Sequence, residues 1–278
     1  MIKIVTDSSC DLSDEMVERH DIRVVPLTIR FGTSEFVDRE EIDTDGFWAR
    51  LEAGGELPET AAPSAGVFLD TYSGLAADGA DGILTLCLSS ELSATYQAAV
   101  IAAERFAETS DVPVRVLDSR AVSMGLGLQV IAAAEDAARG LDLDEMVTRA
   151  MGRPALTTVI AALDTVEYLK RGGRVGGAAA LIAGLLDVKP LITLADGVIG
   201  PAGRVRTRGK ATQRIVDECL ERAGTGKLSI FGGRAPQLDD VISRIESATG
   251  TSVTRAELGA VVGTHAGPGV LGLAHLAD

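Results

Sequence analysis

Two hydroxyls stand out: Thr60 in Glu59-Thr60-Ala61-Ala62-Pro63-Ser64, and Ser93 in Ser89-Ser90-Glu91-Leu92-Ser93-Ala94-Thr95-Tyr96-Gln97, which follows the apolar run Gly82 to Leu88. Ser93 opens onto an alanine-rich stretch, Ala94 to Phe106, that reads as a helix. The first backbone N–H groups of a helix lack internal partners, so hydroxyls and amides there can hold a carboxylate without a formal positive charge. N-capping by Ser89, Ser90 or Ser93 uses the same atoms and needs no ligand. Residue chemistry leaves both readings open.

Charge supplies a second candidate. The chain carries a formal net charge of −14, which disfavours nucleic acid and anionic membranes as partners. Yet Lys170, Arg171, Arg174, Lys189, Arg204, Arg206, Arg208 and Lys210 are opposed within their stretch only by Asp187 and Asp196. Such a basic segment either dissolves its charges in solvent or faces an anion such as a carboxylate, a phosphate or an acidic partner.

The usual catalytic patterns fail when tested. Gly203 to Ala211 resembles a phosphate loop, but five residues separate its glycines and Ala211 stands where a metal-binding hydroxyl is required. Gly267-Pro268-Gly269-Val270-Leu271-Gly272 has the spelling of a dinucleotide loop, with too little chain after it for a βαβ unit. A helix start that attracts an anion is the weaker alternative there. His20, His265 and His275 have no compact ligand spacing, and no G-x-S-x-G elbow occurs. Asp7 invites comparison with strand-end aspartate nucleophiles, although Asp7-Ser8-Ser9-Cys10 lacks a second acid two residues on; turn capping is its plainer role.

These residues need a scaffold. A chain of 278 residues, 46% hydrophobic, can bury one large core or two smaller ones. No apolar run reaches the roughly 18 residues of a membrane span, and the first residues read as a strand instead of a leader. Cys10, Cys87 and Cys219 form no C-x-x-C pair, which fits the reducing cytoplasm. Short β-rich runs alternate with alanine-rich helical stretches, so the fold class is α/β. Strands are expected at 2–6, 22–31, 82–88, 114–118, 157–163, 190–194, 197–199, 228–231 and 256–262. Residues 56–64 read as a loop, Gly172 to Leu186 as a glycine- and alanine-rich segment, and Gly152-Arg153-Pro154 as punctuation between domains 1–153 and 154–278.

Taken in order, nine short motifs resemble the DegV family. They are Thr6-Asp7-Ser8-Ser9 with Asp11-Leu12, Val25-Pro26-Leu27, Thr60 to Ser64, Leu92 to Gln97, and Val116-Leu117-Asp118-Ser119. Tyr168 to Arg174, Val188-Lys189-Pro190, Arg204 to Thr207 and His265 to Gly269 complete the series. The resemblance spans the whole chain. It implies an N-terminal three-layer domain on a mainly parallel sheet and a C-terminal two-layer domain on a mixed sheet. A long-chain fatty acid such as palmitate, stearate or oleate is expected between them.

The family pattern also implies roles. Thr60 and Ser93, with the backbone N–H of Ala94, would hold the acyl carboxylate. Arg174, Arg206 and His265 would meet an acyl phosphate or the separate ATP-dependent fatty-acid kinase that makes it. The chain would then be a cytoplasmic carrier, with no cofactor, metal or stable membrane insertion of its own. The sequence departs from the pattern at Ala61-Ala62 and at Ala94, where the family has Ser-Gln and Gly. Two rivals stand beside this reading. One is a phosphotransferase or hydrolase built on Asp7, Asp118 and the basic 170–210 stretch; the other is a lipid-sensing interaction protein.

Overall fold

The computed structural model describes residues 1–176 and 188–278; most of the segment Gly172 to Leu186, and Asp187, lie outside the described residues. β1 (Ile2–Asp7) runs into a 3-10 turn (Ser8–Cys10) whose first N–H groups Asp7 caps. Then come α1 (Asp14–Arg19), β2 (Ile22–Val25), β3 (Thr28–Phe31), β4 (Ser34–Val37), α2 (Thr44–Glu52) and β5 (Glu59–Ala61). The first half continues with α3 (Ala65–Ala77), β6 (Gly82–Cys87), α4 (Thr95–Phe106), β7 (Val114–Asp118), α5 (Met124–Ala138) and α6 (Leu143–Leu156).

β2, β1, β6 and β7 pair in that order, all parallel, and every residue of β6 is buried. A strand covered on both faces needs apolar side chains on both, which is why 82–88 is a continuous apolar run. Alternate residues divide the two faces. Val5, Ile83 and Cys87 pack under α3 and α4, while Ile4, Leu84 and Leu86 face the core shared with α5 and α6. The three layers expected of the first half are present.

The second half holds β8 (Thr157–Ala162), α7 (Glu167–Arg171), β9 (Lys189–Ala195), β10 (Val198–Val205), α8 (Arg208–Arg222) and β11 (Gly226–Gly233). It closes with α9 (Leu238–Thr249), β12 (Thr254–Glu257), α10 (Ala260–Ala266) and β13 (Val270–Ala277). Its sheet runs β10-β9-β8-β13-β11-β12, antiparallel except for β11 with β12. Ile160 and Ala162 of β8 face α8 and α9, and Val159 and Ala161 face the first half. The β9–β10 hairpin turns at Asp196 and Gly197, both at positive φ (53° and 80°), as its Asp-Gly pair predicts. α5 packs on β1 and β6 and also on β8 and β13, so it is buried nearly all round and joins the two halves.

Several expected boundaries differ. The strand expected over 22–31 is two strands in different sheets, parted at Pro26; β3 pairs instead with β4 and β5 in a small antiparallel sheet. Hence the 56–64 loop contains a strand, β5, which carries Thr60. α6 runs without a break through Gly152-Arg153-Pro154, the stretch that reads as punctuation, because Arg153 is buried and bonded to Asp136 of α5. The strand expected over 256–262 ends at Glu257, and the apolar run after it is α10. Gly263 lets that helix sit on α2: a Cβ there would come 2.6 Å from Phe47 and 2.9 Å from Trp48. The sequence after Gly267 is the central strand β13, which removes the idea of a helix start there.

Candidate ligand-binding site

The inner face of the second sheet is incompletely covered by the first half. The gap is a cavity of about 90 Å³, or about 830 Å³ when the open space at its mouth is included. Val159, Ala161 and Leu163 form a floor with Ile192, Leu194 and Phe231. Leu27, Leu88, Leu92 and Val122 come from the first half, and Val261, Val262 and Ala266 from α10. Its apolar lining is aliphatic, apart from Phe231, and has the character of a site for a flexible hydrocarbon.

Few polar side chains enter this wall, and four of the residues singled out in the sequence are among them: Thr60, Ser93, Arg174 and His265. Ser123 and Thr193 complete the set; Thr193 Oγ1 is spent on the Val159 carbonyl at 2.8 Å. Two expected residues are placed elsewhere. Ala94 is the exposed N-cap of α4, next to Ser93 but outside the cavity lining. Arg206 is exposed in the bend between β10 and α8.

Thr60 Oγ1 lies 2.8 Å from His265 Nε2. The other ring nitrogen, Nδ1, is buried with no partner among the described residues. An orphaned N–H costs more than an orphaned lone pair, so we place the ring proton on Nε2, donating to Thr60. The Thr60 hydroxyl hydrogen is then available to an acceptor in the cavity. Burial, and then the charge of Arg174, push the imidazole pKa down to about 4, which leaves His265 neutral at physiological pH. Gly172 backs onto this ring, and a Cβ at that position would lie 2.2 Å from Nδ1.

Arg174 is the cation of the site. Its Nε donates to the Leu92 carbonyl at 3.1 Å and Nη1 to the Gly172 carbonyl at 2.6 Å. Among the described residues no carboxylate pairs with it, whereas Arg171, Lys189 and Arg208 of the basic stretch bond to Glu167 or Asp164. A half-buried guanidinium oriented by carbonyls and left without an anion suits a carboxylate or phosphate ligand. Ser93 Oγ is 2.9 Å from Thr95 Oγ1 and accepts the Thr95 N–H at 3.3 Å, a local turn bond, while Ala94 is the N-cap of α4 and no side chain caps the helix.

Thr60, Arg174 and His265 also line a second, outer groove with Arg30, Tyr168 and Arg171. The polar cluster therefore stands between an apolar space and a polar one. Sequence reasoning missed Ser123, whose backbone conformation (φ 56°, ψ −145°) marks it out only in three dimensions. Asp7 is not available as a nucleophile: Oδ1 accepts from Ser9 N–H at 3.0 Å and Ser9 Oγ at 2.5 Å, and Oδ2 from Leu88 N–H at 2.7 Å. Asp118 is bonded to Ser90 Oγ at 2.6 Å and Arg120 N–H at 2.8 Å. All three thiols are buried and their pKa values raised by that burial. Among the described residues no acidic, histidine or cysteine cluster could hold a metal ion, and no helix is long and apolar enough to cross a membrane.

Fold and cavity together define a two-domain α/β protein built around an interior apolar site with a polar, cationic end. The chain belongs to the DegV family: the family model described as "Uncharacterised protein, DegV family" matches residues 1–278. It is 40% identical over 279 residues to the DegV domain-containing protein SCO2569 of Streptomyces coelicolor, covering 98% of this chain and 97% of the relative. A fatty-acid-binding DegV family protein from Thermus thermophilus superposes with a TM-score of 0.87 at 32% identity, covering 100% of this chain and 99% of that one. A stearic-acid-binding protein from Eubacterium ventriosum does so with a TM-score of 0.92 at 26% identity, covering 100% and 98%.

Proposed function

We propose that this protein binds a long-chain fatty acid between its halves, residues 1–153 and 154–278, and presents the carboxylate to a separate ATP-dependent kinase. The observation that carries the reading is Arg174, a cation without a carboxylate partner among the described residues, set beside Thr60 and His265 at the edge of an aliphatic cavity. The acyl chain would lie over Val159, Ala161 and Phe231, with its carboxylate at Thr60, Ser93 and Arg174. Burying about 15 methylenes at about 0.8 kcal/mol each gives a gross ~12 kcal/mol. Association and ordering take back much of it, leaving room for micromolar or tighter binding. Most of the affinity resides in the tail; Arg174 adds to it, and the polar cluster decides where the carboxylate points.

Presentation follows from the outer groove. A carboxylate at Thr60 and Arg174, which line both spaces, would be open to a phosphoryl donor from the polar side while its tail stays on the apolar side. The carrier contributes position and positive charge, and the kinase brings ATP and Mg²⁺. Arg206, exposed beyond β10, would act on the docked kinase instead of on the ligand, and the Ala94 N–H would assist the carboxylate from the start of α4. Such a carrier works in the cytoplasm.

Native mass spectrometry of the protein purified from a bacterial host tests the binding step. A stoichiometric adduct with the mass of a fatty acid is expected. A protein that is empty and takes up neither oleate nor palmitate overturns the reading. Acyl phosphate formation should depend on an added fatty-acid kinase; turnover by the isolated chain with ATP would replace the carrier by an enzyme.

A further inference from the structure

Asp11 lies outside the cavity, yet it joins two of its walls. It follows the 3-10 turn after β1, has a left-handed backbone (φ 52°) and is 7% exposed. Its Oδ2 accepts from Ser123 Oγ at 2.6 Å, and its Oδ1 accepts from the Gly259 N–H at 2.9 Å. Ser123 is a cavity residue, and Gly259 is the N-cap of α10, the helix that brings Val261, Val262 and His265 to the same cavity.

We propose that Asp11 is a positioning residue for the ligand site: by bonding Ser123 and Gly259 at once, it sets where His265 stands and, through it, where the Thr60 hydroxyl meets the ligand head group. The proposal rests on the fatty-acid reading for its ligand, but its geometry is a property of the protein alone.

Both ends of the link need such support. Ser123 is an L-residue at φ 56° and ψ −145°, a region that side chains disfavour and that surrounding bonds must impose. Those bonds come from one short segment: the Ser123 N–H donates to the Ser9 carbonyl at 2.9 Å, and its hydroxyl donates to Asp11. At the other end α10 spans only Ala260–Ala266, so the placement of its first turn carries through to His265. Trp48 Nε1 donates to the Leu258 carbonyl at 3.0 Å and fixes the residue before the cap, while Asp11 fixes the cap itself.

The test compares wild type, Asp11→Ala, Asp11→Asn and Ser123→Ala. Palmitate and hexadecanol affinities are measured by titration, and the His265 imidazole resonances by NMR in the ligand-free proteins. Asparagine can still accept from Gly259 and donate to Ser123, so it is the conservative variant. Asp11→Ala is expected to weaken palmitate binding about tenfold, to leave hexadecanol binding within about twofold, and to shift the His265 resonances. Asp11→Asn should restore most of both. Equal losses for acid and alcohol, or unshifted resonances, overturn the proposal. Should Asp11→Ala not fold, Ser123→Ala, which removes one arm of the link, is judged by the same criteria. If wild type binds neither palmitate nor hexadecanol, the fatty-acid reading fails by itself, and the resonances alone decide the role of Asp11.

Discussion

The hydroxyl of Thr60 and Nε2 of His265, 205 residues apart in sequence, meet at 2.8 Å across the boundary between the two halves. Thr60 comes from a small antiparallel sheet of the first half and His265 from a helix of the second, so the contact exists only when the halves are docked. Arg174 approaches the same point from the chain after α7 and is anchored to the first half through Leu92.

Replacing Arg174 by Met keeps much of its stem and removes the charge. Charge-assisted hydrogen bonds contribute about 1.5–3 kcal/mol, so palmitate affinity should fall roughly tenfold to a hundredfold. Methyl palmitate, which has no anion to lose, should bind wild type and Arg174→Met alike; isothermal titration of both ligands checks this.

Ser93→Ala should separate holding the ligand from presenting it. Tail burial dominates affinity, so palmitate binding is expected to change by less than about threefold. Kinase-dependent acyl phosphate formation should drop by about tenfold or more, because it depends on how the carboxylate is aimed. Equal losses in both assays would argue against this division.

Gly172→Ala puts a methyl group where the His265 ring now lies, 2.2 Å from Nδ1. The ring or the α7 end must move, at a cost of about 1–3 kcal/mol. A lower melting temperature together with weaker palmitate binding is expected, and a substitution silent in both would show that the ring does not back onto Gly172.

The two buried titratable groups at α10 pull stability in opposite directions with pH. His265 has its pKa lowered from 6.5 to about 4, chiefly by burial and then by Arg174. Between those values the unfolded chain binds a proton that the folded protein refuses, so stability falls as pH falls from 6.5 to about 4. His265→Gln should lose less stability than wild type on acidification from pH 7 to pH 4.5, measured by urea unfolding.

Asp11 behaves conversely. Burial raises its pKa from 3.8 to about 7 against the hydrogen bonds of Ser123 and Gly259, with Asp38 adding to the rise and Arg39 opposing it. Here the folded protein keeps a proton that the unfolded chain has released, so stability falls as pH rises from about 4 to about 7. Asp11→Asn removes this dependence. Its stability relative to wild type should increase between pH 4.5 and pH 8, and a flat difference would mean that Asp11 is ionised throughout.

Much of the scaffold was legible because burial on two sides leaves a one-dimensional trace. The 82–88 run is apolar at almost every position, and the Asp196-Gly197 pair names its own turn. Strand and helix could not be told apart at 258–262. A short apolar run satisfies either, and what selects α10 is the close packing of Gly263 under Phe47 and Trp48. Likewise Gly152-Arg153-Pro154 reads as local punctuation, but the buried Arg153–Asp136 pair holds a helix through it.

The sequence by itself determined the α/β class, the net acidity with its local basic stretch, and the motifs that carry Thr60, Ser93, Arg174 and His265. Local spacing is enough for these, because each is a property of neighbouring residues. Only the tertiary structure decided that these four line one cavity while Arg206 stays in solvent and Asp7 is consumed by backbone bonds. It also decided that Asp11 reaches Ser123 and Gly259, residues 112 and 248 positions away. Such meetings arise from the docking of two sheets across α5. The free energy that drives that docking comes from apolar area, which carries no record in the sequence of which polar groups it will bring together.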